Sequence, residues 1–285
     1  MADDNTRLDA AMREYYEVGE EESRLGGSPQ GRLEFERTQE IVLRALPPAP
    51  ATIADIGGGP GAYALWLAGL GYRVVHRDIM PLHVEQLALA APPDAAIDSR
   101  VADARRLDLT DASVDAVLLL GPLYHLDSAA DRRQALREAG RIVRPGGPVF
   151  AAAISRWAAR LDGILRTRLY EPHPEIEDMV ERLEQTGVIE PLYAGSFAAV
   201  THRPDELRAE VAAAGLEVTD LVCVEGAGFM LGDLAERMAD ERAWRIVLDA
   251  SRALERVPEL MGVGPHLLVT GRRPGAAFVG AAGAG

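Results

Sequence analysis

Between residues 50 and 154 the chain alternates short apolar runs with amphipathic stretches. Five runs have the length and composition of strands: ATIADIG, YRVVHRD, SRVADA, VDAVLLLG and PVFAAAI. The stretches PGAYALWLAGLG, PLHVEQLALA and SAADRRQALREAGRIVR lie among them and have a helical pattern. Because VDAVLLLG is apolar on both faces, it is typical of a strand inside a parallel sheet. The alternation predicts an α/β fold with a doubly wound, Rossmann-like, mostly parallel sheet.

The pattern changes on both sides of this region. Residues 4–19 and about 32–46 are predicted to be helical, and Leu8, Met12 and Tyr15 share one stripe of the first helix. After Ile154 the alternation stops, and it resumes with RPDELRAEVAAAG, LEVTDLVCVEG and HLLVTGRR. We therefore expect an N-terminal helical lid (1–48), a cofactor-binding core (49–154), a helical cap insertion (155–200), the rest of the core (201–273) and a disordered tail (274–285).

Composition and charge narrow the possible partners. The net charge of −14 would repel phosphate backbones, so we expect no nucleic-acid partner. No apolar run approaches the ~20 residues that span a bilayer, so we expect no membrane partner. The lone Cys223 lies in an apolar run and is expected to be a buried structural thiol; with the acidic N-terminus, it favours a cytoplasmic protein. The sequence contains no lysine, which excludes Schiff-base chemistry and a Walker-type phosphate loop.

The stretch ADIGGGPG follows the first predicted strand and is typical of a nucleotide-binding loop. Gly57, Gly59 and Ala62 satisfy the pattern G-x-G-x-x-A, and Asp78 lies at a suitable distance for a ribose contact. This match leaves an NAD(P)-dependent oxidoreductase as an alternative.

Three carboxylates favour a different nucleotide. Asp55, Asp78 and Asp103 lie at the ends of three successive predicted strands, and the carboxyl ends of parallel strands meet at one edge of a sheet. They would suit the ammonium group, the ribose diol and the adenine amino group of S-adenosyl-L-methionine. A dinucleotide loop usually has an apolar residue in place of Asp55 and offers no role for Asp103.

The motifs DIGGGPG, VVHRD, VADARRL, VDAVLLLGPLYHL and RIVRPGG occur in this order. Together they resemble the class I S-adenosylmethionine-dependent methyltransferases, closely over residues 50–154 and more loosely over 201–273. The resemblance implies a seven-stranded sheet whose last strand, HLLVTGRR, runs antiparallel between the fifth and sixth. The N-terminal stretch also resembles a bacterial small-molecule branch in which this segment folds over the cofactor.

The resemblance implies which residues bind the cofactor and its product, S-adenosyl-L-homocysteine. The core positions are Asp55, Gly57, Gly59, Asp78, Asp103, Ala104, Leu120 and Gly121. From the lid we expect Tyr16 and Arg24, with Arg24 suited to a bidentate contact with the methionine carboxylate and Glu20 beside it.

His125, just after the fourth predicted strand, is the predicted general base, with Tyr16 as a second catalytic residue. That His125 only orients the cofactor or the loop is left open, because methyl transfer often proceeds by alignment alone. Predicted acceptor contacts are Tyr15, Glu21, Trp157, Leu161 and Tyr193. His173 and His202 are interpreted as structural. No metal motif is present, so we expect no metal.

These observations predict S-adenosylmethionine-dependent methyl transfer to a small, partly apolar or aromatic metabolite, in specialised metabolism. The acceptor atom, nitrogen, oxygen or carbon, is left open, as is the oligomeric state. Besides the oxidoreductase, the second alternative is a catalytically silent regulator that binds the cofactor.

Overall fold

The fold is built on one twisted sheet. The computed structural model describes residues 12–17, 21–191 and 196–275. Within these residues the strands are β1 (Thr52–Ile56), β2 (Arg73–Asp78), β3 (Ile97–Val101), β4 (Ala116–Leu119), β5 (Pro148–Ser155), β6 (Val188–Ile189), β7 (Ala199–His202), β8 (Glu217–Cys223) and β9 (His266–Arg272).

The strand order confirms the predicted doubly wound topology. Strands β3, β2, β1, β4 and β5 are neighbours in that order and run parallel. Strand β9 lies antiparallel between β5 and β8, with Thr270 opposite Phe150. HLLVTGRR therefore occupies the position that the resemblance implies.

The sheet has nine strands where seven were predicted. The two additional strands are β6 and β7, which pair with each other in antiparallel fashion. Strand β7 also extends the sheet at the end of β5, where Thr201 pairs with Ile154. These strands have two and four residues and β7 is wholly buried, so neither shows the alternation by which longer strands are detected.

Helices cover both faces of the sheet. Residues 12–17 are helical, and the further helices are α1 (Glu21–Arg24), α2 (Pro29–Leu43), α3 (Ala62–Gly69), α4 (Pro81–Ala90), α5 (Pro122–His125), α6 (Ala129–Ile142), α7 (Ala158–Leu165), α8 (Glu175–Thr186), α9 (Pro204–Ala213), α10 (Leu234–Ala239) and α11 (Glu241–Leu254). Two 3₁₀ turns span Gly226–Met230 and Pro258–Leu260. None of the helices in these residues combines the length and apolar character that crossing a membrane requires.

Side-chain caps fix where two of the helices begin. Ser128 accepts from the Asp131 backbone amide and starts α6, as its sequence predicts. Helix α2 begins earlier than predicted, because Ser28 accepts from the Gly31 amide and Pro29 suits the first turn.

The core lies on both faces of the sheet. Val117 and Leu119 of β4 pack into the cluster beneath α6, and their neighbours Ala116 and Leu118 pack on the opposite face. All four are buried, which explains the continuous apolar run in this strand.

Several predictions fall on other parts of the chain. Leu8, Glu20, Tyr193 and residues 276–285 of the tail lie outside the described residues.

Candidate active site

A cavity of about 360 Å³ lies at the carboxyl edge of the sheet. It is lined by the glycine-rich loop after β1, the end of β2 and the start of α5, and by residues of 12–17 and α1. Of the predicted site residues, it is lined by Asp55, Gly57, Gly59, Asp78, Asp103, Ala104, Leu120, Gly121, Tyr16, Glu21, Arg24 and His125. The fold therefore gathers these twelve residues from distant parts of the chain.

Asp55 offers a buried carboxylate to this cavity. The residue is 1% exposed, no side chain of the described residues donates to its carboxylate oxygens, and its nearest donor is the Ala64 backbone amide. Burial, and second the negative charge of Asp78, raise the pKa of Asp55 to about 7. A Cβ on Gly58 would lie 2.5 Å from Asp55 Oδ2, so a glycine is required here to leave room for the carboxyl group. Such a group is suited to a ligand cation.

Asp78 organises the loop as well as facing the cavity. Its oxygens accept hydrogen bonds from the Gly59 amide at 2.8 Å, the Met80 amide at 2.8 Å and His83 Nδ1 at 3.0 Å. Burial opposes ionisation, but these donors lower the pKa of Asp78 below its ordinary value. A carboxylate has about four acceptor positions, so Asp78 keeps room for about one more donor rather than for both hydroxyls of a ribose.

Asp103 forms a compact pair with Arg105. Both carboxylate oxygens accept from the Arg105 side chain, the shortest at 2.6 Å, and one also accepts from the Arg105 amide at 2.8 Å. Arg105 reaches Asp131 as well, at 3.1 Å, and it lines the cavity. Arg105 was not among the residues predicted to line the site, although its position two residues after Asp103 could have indicated it.

His125 and Tyr16 meet across the cavity. The Tyr16 hydroxyl and His125 Nε2 share a hydrogen bond of 2.7 Å, while His125 Nδ1 is buried without a partner among the described residues. Burial lowers the pKa of His125 to about 3 and raises that of Tyr16 well above its ordinary value. The pair is therefore neutral near pH 7, and Nδ1 needs a partner in either tautomer of the ring.

Aromatic rings surround this pair. Tyr124 stands 4.5 Å from the His125 ring and Phe197 stands 6.1 Å from it, both edge to face. Tyr15, a predicted acceptor contact, packs against Tyr16 at 5.1 Å and Phe197 at 5.5 Å. The sequence reasoning did not select Tyr124, whose signal was its place beside His125 in GPLYHLD.

Arg24 lines the cavity with acidic partners already in place. Its Nε donates to Glu21 at 2.6 Å, and its two terminal nitrogens donate to both oxygens of Glu34 at 2.7 and 3.1 Å. Three of the five guanidinium N–H groups are thus used, which leaves two for a ligand. Glu34, on α2, was not selected from the sequence.

Three predicted acceptor contacts, Tyr15, Trp157 and Leu161, do not line the cavity. Trp157 is 37% exposed, and the Arg203 guanidinium lies 5.8 Å from the centre of its ring. Leu161 is on α7, and neither residue is among those that line the cavity.

In the described part of the chain, Glu34, Glu225 and His266 have the residue types of a metal site. Their ligand atoms lie within 4.8 Å of one another, and none of the three lines the cavity. His266 Nδ1 donates to Glu225 at 2.5 Å, so hydrogen bonding accounts for this contact.

Comparison with known proteins connects the cavity to a family. Residues 54–151 match a family model described as "Methyltransferase domain". The C-methyltransferase UbiE of ubiquinone and menaquinone biosynthesis from Acidiphilium cryptum is 34% identical over 122 residues, 41% of this chain and 48% of the relative. The S-adenosyl-L-methionine-dependent Diels-Alderase iccD of Talaromyces variabilis is 34% identical over 115 residues, 38% of each protein. This chain therefore spans half or less of the length of these relatives.

Solved structures share the fold. A Methanosarcina mazei protein described as a SAM-dependent methyltransferase superposes with a TM-score of 0.56 at 18% identity. The match covers 82% of this chain and 97% of that protein, which supports the architecture beyond residues 54–151.

Proposed function

This chain belongs to the class I S-adenosylmethionine-dependent methyltransferase family, and from that premise we propose that it methylates a small, partly apolar or aromatic metabolite. The proposal depends most on the buried Asp55 carboxylate, which receives no side-chain hydrogen bond from the described residues and lines the same cavity as His125. We propose specialised metabolism as the setting, because the predicted acceptor wall is aromatic.

The residues present fit the cofactor, which when bound supplies a methyl group activated on a sulfonium. Asp55 would accept from the ammonium group, Asp78 from the ribose, and the loop at Asp103 and Ala104 would contact the adenine. One of the remaining N–H groups of Arg24 would donate to the methionine carboxylate.

The aromatic wall favours a neutral acceptor. Tyr124 lines the cavity, Tyr15 and Phe197 pack beside the His125–Tyr16 pair, and this neutral pair adds no charge. We propose that His125 Nδ1 orients the polar atom of the acceptor, while the chain holds the acceptor in line with the methyl group and excludes water. Nitrogen, oxygen and carbon acceptors are all compatible with this arrangement.

Methyl transfer can be tested with a cofactor that carries an isotopic methyl label. The protein would be incubated with this cofactor and a panel of indoles, phenols, amines and isoprenoids, with mass spectrometry following labelled product and S-adenosylhomocysteine together. Equal appearance of both is expected for at least one class. Binding of NAD without S-adenosylhomocysteine would instead indicate an oxidoreductase.

Two further outcomes would contradict transfer while leaving the cofactor in place. Conversion of an acceptor without release of S-adenosylhomocysteine would indicate chemistry of the kind named for the Diels-Alderase relative. Tight binding of S-adenosylhomocysteine with no product across the panel would favour the silent regulator.

Cofactor binding itself can be tested by replacing Asp78 with its amide. Asp78→Asn loses the charge at the cavity and weakens the hydrogen bonds that shape the loop, so we expect at least a tenfold higher Kd for S-adenosylhomocysteine in titration calorimetry. Asp94→Asn, in an exposed loop, is the matched control and should bind like the original protein. Unchanged affinity of Asp78→Asn would contradict the assignment of this cavity.

A further inference from the structure

A chain of charged side chains leads away from the cofactor cavity. Arg24 pairs with Glu21 at 2.6 Å and with Glu34 at 2.7 Å. Glu34 lies 3.9 Å from His266 Nδ1, and His266 Nδ1 contacts Glu225 at 2.5 Å. The chain therefore connects α1, at the cavity, through α2 to the first residue of β9.

Glu225 anchors the far end of this chain. It is completely buried, and its carboxylate accepts from both the side chain and the backbone amide of His266. Burial of a carboxylate is costly unless a cation or hydrogen-bond donors pair with it, and His266 supplies both donors to Glu225. The charges of Glu34 and Glu225 outweigh the effect of burial and raise the pKa of His266 to about 9, so that His266 carries a proton at pH 7.

The protonated His266 changes what Arg24 can offer a ligand. Glu21 and Glu34 together would more than neutralise Arg24, and a third carboxylate would then gain little by approaching it. Because Glu34 also faces His266, its charge is shared between two cations. The bidentate contact with Glu34 also fixes the plane of the guanidinium group.

We propose that His266, held by Glu225, is a positioning residue that fixes Glu34 and through it Arg24, and so sets the affinity for the carboxylate end of the cofactor. This inference rests on the proposed function. It concerns residues of α2, β9 and the turn after β8, none of which lines the cavity.

The test compares two ligands that share the nucleoside and the thioether. S-adenosylhomocysteine carries the amino-acid end, and 5′-methylthioadenosine lacks it. In His266→Asn and in Glu225→Gln we expect Kd for S-adenosylhomocysteine to rise about tenfold, with Kd for methylthioadenosine unchanged within about twofold. His173→Asn, at an exposed position, is the matched control and should alter neither value.

A merely structural role gives a different result. Equal weakening of both ligands, or no change in either, would overturn the proposal. If the two variants fail to fold, His266→Gln, which also replaces the cation by a neutral side chain, provides the same comparison, and we expect the same selective loss.

The ratio of the two affinities also has an expected pH profile. The charged groups that face His266 are Glu34 from α2, Glu225 after β8 and Arg24 from α1. Loss of the His266 proton between about pH 8 and 10 would return the full charge of Glu34 to Arg24, so selectivity for S-adenosylhomocysteine should fall in that range. The ligand's own amino group titrates in both proteins, so only the difference from His266→Asn is assigned to His266. Coincident profiles would contradict the proposal.

A bound metal would produce a distinct outcome. If EDTA abolishes the selectivity of the original protein and Zn²⁺ restores it, the three residues hold a metal and the proposal is overturned; we expect no effect of either reagent. If the original protein binds neither ligand, the proposed function itself fails. Binding of both ligands without the selective loss contradicts this inference alone.

Discussion

Ionisation of Asp55 is expected to make ligand binding depend on pH. Its pKa of about 7 in the folded chain compares with about 3.9 in an unfolded one. A ligand cation beside the carboxylate would favour the ionised form and lower this pKa. Binding of S-adenosylhomocysteine at pH 6 is therefore expected to release close to one proton, and none above pH 8. Calorimetry in two buffers of different ionisation enthalpy measures the release, and equal heats in both at pH 6 would contradict it.

The same residue makes the ligand-free protein less stable as pH rises. Between pH 4 and 7 the native state keeps a proton that the unfolded state has lost, so stability falls through this range. Asp55→Asn removes the dependence, and at pH 8 it should raise the free energy of unfolding by on the order of 2–4 kcal/mol. Urea unfolding at pH 5 and 8 provides the measurement. A variant that is equally destabilised at both pH values would show that the pKa shift is not the cause.

Some residues of the candidate site could be predicted from the sequence, and others could not. Asp55 and Asp78 lie at the carboxyl ends of β1 and β2, and the geometry of a parallel sheet brings such ends together, so both could be predicted from the sequence. The partners Glu34 and Glu225 could not, because contact between Arg24, α2 and β9 depends on packing between distant parts of the chain. Trp157 was selected for its aromatic type, which does not distinguish a pocket from the surface.

Helix α2 is anchored by one buried arginine. Arg37 is wholly buried, pairs with Glu40 and Glu255 and donates to the Val224 carbonyl at 3.2 Å. Arg37→Ala would leave the buried Glu255 with fewer cations and should cost about 3 kcal/mol of unfolding free energy. Arg32→Ala on the same helix removes an exposed pair with Glu36 and should cost less than about 0.5 kcal/mol. Equal losses in chemical denaturation would contradict this difference.

Elements were predicted well where the periodicity is long and strong. The strands β1 to β5 and the helix α6 have clear patterns and recognisable ends. Strands β6 and β7 were not predicted, because they are too short to show a period. Ala199–His202 is stabilised as a strand by pairing with β5. The start of α2 was displaced because its cap at Ser28 lies before the apolar stripe begins.

At the scale of the whole molecule, the proposal that the N-terminal residues form a lid over the cavity has a measurable consequence. Residues of 12–17 and α1 line the cavity, so a bound ligand would hold them against the core. We expect S-adenosylhomocysteine to slow amide hydrogen exchange at least tenfold in 12–17 and α1, with little change in β8 and β9. Hydrogen exchange with mass spectrometry provides the test. Uniform protection, or none in the N-terminal residues, would contradict a lid.

The global topology could be predicted only in part from local patterns. Alternation indicates parallel strands, but nothing in the composition of HLLVTGRR says that it runs antiparallel. The antiparallel orientation was predicted from the resemblance alone. The direction of a strand depends on how the preceding connection returns to the sheet, and the local sequence does not specify this.

The position of β9 also determines when the sheet can finish folding during synthesis. Strand β8 joins the sheet through β9, and the edge of β5 that β9 covers belongs to a much earlier part of the chain. During synthesis this edge of β5 therefore stays unpaired until residues 266–272 have left the ribosome. A chain that stops before His266 would keep the unpaired edge of β5 exposed and would be expected to aggregate rather than to fold.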